Sequence, residues 1–71
     1  MINSSEKINE FYFKILKALE KYDINTYNEF NTIIKEKDKK EVYLWLNQRK
    51  EANNLPKEVI KIMPDLFEWI M

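Results

Sequence analysis

Apolar residues recur at three- and four-residue intervals over most of this chain, and that spacing predicts helices rather than strands. From Ser5 to Tyr22 one stripe collects Ile8, Phe11, Tyr12, Ile15, Leu16, Leu19 and Tyr22, the inner face of an amphipathic helix. Asn3 with Glu6 supplies a capping pair at its start, and Lys17 and Lys21 suit the negative pole at its end. Phe13 falls outside the stripe, between Asn9, Lys17 and Glu20, as a scattered exposed ring or as part of a contact surface.

A turn over Asp23 to Asn25 precedes a second helix, opened by Thr26 and Glu29 in capping-box spacing and carrying Tyr27, Phe30, Ile33 and Ile34 on one face. It stops near Lys35 or Glu36, and the charged turn Glu36-Lys37-Asp38 leads into a third helix, Lys39 to Ala52, where Asp38 and Glu41 repeat the capping spacing. Val42, Trp45, Leu46, Arg49 and Ala52 share one side of that helix, while Tyr43 and Leu44 project elsewhere. A helix apolar nearly all round is either sandwiched in the middle of a fold or partly reserved for a partner, and the sandwich is the expectation here.

Pro56 suits the first turn of a fourth helix, Lys57 to Met63, because its missing N–H would be unpaired there anyway. Pro64 is expected to end it, leaving Asp65 and Glu68 to cap a short last turn that carries Leu66, Phe67, Trp69, Ile70 and Met71. That segment either closes the core or docks on another chain. The fold predicted is all-α: a compact bundle of four helices, with a short fifth C-terminal helix as an option, in a single helical domain over residues 1–71.

Composition sharpens this picture by what it lacks. The chain has no glycine, histidine or cysteine. Without glycine there is little material for tight hairpins or phosphate-cradling loops, so the left-handed positions at helix ends fall to asparagine, around Asn25, Asn47 and, best placed, Asn53-Asn54. Without imidazole or thiol, the commonest general base, the softest metal ligands and the best nucleophile are missing. Ser4, Ser5, Thr26 and Thr32 have no histidine to activate them, and the carboxylate pairs Glu6/Glu10 and Asp65/Glu68 read as solvent-facing and capping groups. The expectation is a non-enzymatic protein with no catalytic, metal or cofactor residues. The longest apolar run, Val42 to Leu46, is five residues and the first ten are polar, so a cytoplasmic protein with no membrane partner is expected.

Formal charge cancels, yet its distribution is uneven: Lys35, Lys37, Lys39, Lys40, Arg49 and Lys50 face only Glu36, Asp38 and Glu41 in the middle third. Thr26 to Lys50, with Phe30, Ile33 and Ile34 followed by Val42, Trp45 and Leu46, resembles the helix-turn-helix of phage repressor and Cro-type regulators. That resemblance implies Lys39, Lys40 and Tyr43 toward a DNA major groove and Lys35, Lys37, Arg49 and Lys50 on phosphates. The turn is one residue longer than in that pattern and lacks its glycine, and Leu44 stands where a polar residue is usual. Lys50-Glu51-Ala52-Asn53 and Pro56-Lys57-Glu58-Val59 are similar to the helical-hairpin antirepressors, which implies a hairpin from Glu41 to Met63 completed by another chain.

Four Phe, four Tyr and two Trp are more aromatic bulk than so short a chain needs for one core. Phe13, Tyr43, Leu44, Phe67, Trp69 and Ile70 are therefore the candidate protein-binding residues, with either a different protein or a second copy as partner. The Lys- and Asn-rich composition resembles short accessory proteins of phage and mobile elements, which implies a regulatory role: binding, and modulating or inhibiting, a target protein in the host cytoplasm. The alternative reading is a small DNA-binding transcriptional regulator.

Overall fold

A computed structural model describes residues 4–70 and shows four α-helices: α1 (Ser4–Tyr22), α2 (Ile24–Glu36), α3 (Lys39–Glu51) and α4 (Lys57–Ile70), with no strand among the described residues. The all-α bundle read from the periodicity is what the chain forms. Asn3 and Met71, assigned above to a cap and to the last turn, lie outside the described residues.

α1 and α4 are the spine. Ile8, Phe11, Tyr12, Ile15 and Leu19 of α1 are buried against Val59, Met63, Leu66 and Ile70 of α4, with Phe30, Val42, Leu46 and Leu55 completing one core. Tyr12 meets Phe30 edge to face at 5.8 Å, and burial, reinforced by the negative charge of Asp38, raises its phenol pKa. α1 packs along both α2 and α4, whereas α3 touches α2 and α4 and makes no close backbone approach to α1. The helices thus form a ring, and the expectation that α3 is the central post is overturned. Only Val42 and Leu46 of α3 are fully buried, because α1 has the wider apolar stripe and takes the position flanked on both sides.

The chain ends of these helices follow from specific bonds. Asp38 caps α3 as read, its carboxylate accepting the Glu41 amide at 2.9 Å. Asn53 takes φ 62°, the left-handed conformation. Its amide donates to the Lys50 carbonyl and that of Asn54 to the Arg49 carbonyl, the paired bonds of a Schellman motif that closes α3. Asn25 and Asn47 do not share that role: both sit inside helices with φ negative.

Three further expectations are corrected. α2 begins at Ile24 with Asp23 as its N-cap, so the connection from α1 is one residue and Thr26 lies inside the helix. Tyr22, the last residue of the α1 stripe, is consequently exposed, since the chain reverses immediately after it. Pro64 does not end α4, which runs through it to Ile70 with Asp65 and Glu68 inside, so the separate fifth helix is absent. The stripe Val59, Met63, Leu66 and Ile70 explains this: it is buried without a break, and its packing offsets the hydrogen bond that Pro64 cannot donate. Pro64 itself is exposed, so its ring displaces nothing in the core.

Candidate protein-binding groove

Local periodicity decides which candidates meet. Lys40 of α3 and Ile70 of α4 line one groove, so the start of α3 lies beside the end of α4 and the two helices run antiparallel. Tyr43 and Phe67 face each other across it with ring centroids 5.2 Å apart. Leu44 and Ile70 complete a wholly apolar lining with about 230 Å3 of open volume, to which Lys40 contributes its methylene stem. Leu44 is 58% exposed and Phe67 42%, while Ile70 is 5% exposed and belongs to the core beneath the floor. Four of the six candidates, Tyr43, Leu44, Phe67 and Ile70, are brought together.

The other two are not. Two residues along a helix turn through about 200°, so Trp69, 38% exposed, lies on the opposite flank of α4 from Phe67. Phe13, 60% exposed, lies beside Leu16, Lys17, Glu20 and Tyr27 at the α1–α2 side, with the Lys17 ammonium 4.9 Å from its ring centre. The six candidates are therefore one cluster and two outliers, and Tyr22 and Ile24, both exposed at the α1–α2 connection, were not among them.

The basic candidates also divide. Lys35, Lys37, Lys39, Lys40 and Lys50 are exposed. Arg49 turns inward and joins α3 to α2: its Nη2 donates to the Thr26 hydroxyl at 2.9 Å and its Nη1 lies 3.9 Å from the Glu29 carboxylate. The guanidinium stacks 5.1 Å from the Trp45 ring, whose Nε1 donates to Glu29 at 3.0 Å, and Trp45 in turn packs on Phe30. The Thr26 hydroxyl in turn donates to the Asp23 carboxylate at 2.7 Å. That bond is the main reason the Asp23 carboxyl is held below the usual carboxylate range, with smaller help from the Asn25 and Thr26 amides, which face it without closing a full capping hydrogen bond, and from Arg49. Arg49 Nε is buried without a partner.

This clasp was missed by reading Thr26 and Glu29 as a capping box. The available signal was a charged residue, Arg49, on the same helix face as Val42 and Leu46. The clasp fixes α2 on α3. Among the described residues no group of three or more carboxylates, histidines or cysteines is placed to hold a metal ion. No helix among them is long and apolar enough to cross a membrane. No known protein family, curated protein or solved structure matches the chain.

Proposed function

We propose that this protein is a non-enzymatic binding module whose α3–α4 groove receives another protein, so that it modulates or inhibits its target stoichiometrically, in the manner of the accessory proteins of phage and mobile elements. The observation that carries the reading is the side-by-side exposure of Leu44 and Phe67 over a wholly apolar floor. Covering the half of each side chain still in water would recover about half of the roughly 1.5 to 3 kcal/mol that full burial is worth. Aromatic anchors in a desolvated pocket are also what binding hot spots are made of. DNA binding is supported less well, because two of the seven residues it requires are engaged elsewhere, Arg49 in the clasp to Thr26 and Glu29 and Tyr43 against Phe67.

Affinity capture from the cells that express the chain, run in parallel with wild type and Leu44→Asp, tests the reading. A bound protein that the variant loses is the expected result. Identical capture by both would overturn it, and retention on random duplex DNA at low salt that falls steeply with ionic strength would favour the DNA reading instead.

A further inference from the structure

The outer face of α1 carries Phe13, which the groove leaves unexplained. Glu6, Glu10, Phe13, Lys17 and Lys21 succeed one another at intervals of four, three, four and four residues, so they form one line along the helix, opposite the buried Ile8, Ile15 and Leu19. Every member of the line is exposed, and Phe13 is the most exposed large apolar side chain among the described residues. Glu10, Phe13 and Lys17 border one shallow depression together with Lys14. The line is acidic before Phe13 and basic after it.

The helix dipole accounts for part of that order, since it favours acids in the first turn and bases in the last. It does not account for Glu10 and Lys17, which stand more than a turn from either end of α1, nor for an aromatic ring in water between them. Glu10 has a neighbour in Lys7 at 3.4 Å, but that pair lies at the surface, where it is weak, and a carboxylate can accept from two cations. What the order does provide is self-complementarity. Reversed about the midpoint between Phe13 and Lys14, the line sets Glu10 on Lys17, Glu6 on Lys21 and Phe13 beside its own image. A parallel copy in register would set acid on acid and base on base.

We infer that a second copy of this chain docks on the outer face of α1, antiparallel, about a two-fold axis that passes between the two helices near Phe13. Such an axis keeps each flank of the helix on its own side. Phe13 leans toward α2, beside Leu16 and Tyr27, so the two Phe13 rings meet on that flank while each Glu10 reaches Lys17 of the other copy. With one aromatic anchor per copy and surface ion pairs around it, the dimer is weak and salt-sensitive. α3 lies across the ring from α1, so the contact leaves the α3–α4 groove open on both copies. The dimer then presents two grooves at once, which raises avidity for any target that offers two sites.

Sedimentation equilibrium of the full chain, up to about 1 mM and at low and high salt, tests this. The expected result is a dimer that salt weakens and that Phe13→Ala weakens by at least about tenfold. Glu10→Lys alone and Lys17→Glu alone are each expected to lose the dimer. An equal mixture of those two variants is expected to regain it, because each chain supplies the charge that the other has reversed, at both Glu10–Lys17 positions. Circular dichroism confirms that each variant is helical, and recovery in the mixture excludes misfolding as the cause of the loss. Leu44→Asp is the control and should dimerise as the wild type does. Monomer throughout the range, a dimer indifferent to position 10, 13 or 17, or a mixture that stays monomeric would overturn the inference and leave the groove reading as it stands. A dimer that Leu44→Asp dissociates would also overturn it, by placing the second copy in the groove.

Discussion

α1 buries Ile8, Phe11, Tyr12, Ile15 and Leu19 between two flanking helices, whereas α3 buries Val42 and Leu46 and turns Leu44 to solvent. Both helices are rich in apolar residues, but α1 gathers them in one stripe and α3 distributes them around its circumference. A stripe can be sealed by the chain's own neighbours. A circumference cannot be sealed in a ring of four, where each helix has only two neighbours, and what remains outside on α3 lies beside Phe67 to form the groove.

Substitution can break this contrast most sharply in the core. Ile15→Ala in α1 and Leu46→Ala in α3, both fully buried, should each cost about 2 to 5 kcal/mol in chemical denaturation. Equal costs would show that the two helices differ in their outward faces and not in how firmly they are held. Next in size is the clasp: Thr26→Val removes the hydroxyl that the part-buried Arg49 guanidinium donates to, at about 1 to 3 kcal/mol, while the exposed Asp23 carboxylate turns to water. Asn53→Val should cost about 1 to 2 kcal/mol, since a Cβ-branched residue is ill suited to the left-handed cap, while Asn53→Gly should be close to neutral.

Leu44→Ala stands at the other pole of the contrast and should change stability by no more than about 0.5 kcal/mol. A loss comparable with Leu46→Ala would mean that Leu44 is part of the core and would remove the groove. The smallest effect concerns pH. The Asp23 carboxyl titrates lower folded than unfolded, so its contribution is present above about pH 4 and is lost as pH falls below that. Asp23→Asn should slightly flatten the acid limb of a stability–pH curve, a change that solvent screening keeps small at so exposed a site.

The helices were legible in the sequence because periodicity, the Asp38 cap and the Asn53 terminator are local signals, each written within a few residues. Pro64 misled because its cost is local while its compensation is not: the burial of Leu66 and Ile70 depends on α1, far away in the chain. The position of α3 was misread for a related reason, since an all-round apolar helix fits the centre or the edge equally until the partners of each face are known. Of the candidate site, the residue types were readable, but the division of Phe67 from Trp69 depends on helix continuity through Pro64 and could not be read once that helix was expected to stop.

Photo-crosslinking inside the cells that express the protein tests the central claim most directly, with p-benzoylphenylalanine replacing Leu44 in the groove or Lys61 on the outer side of α4. The account predicts a defined adduct with another protein from position 44 and none from position 61. No adduct from either position, or the same adducts from both, would contradict it.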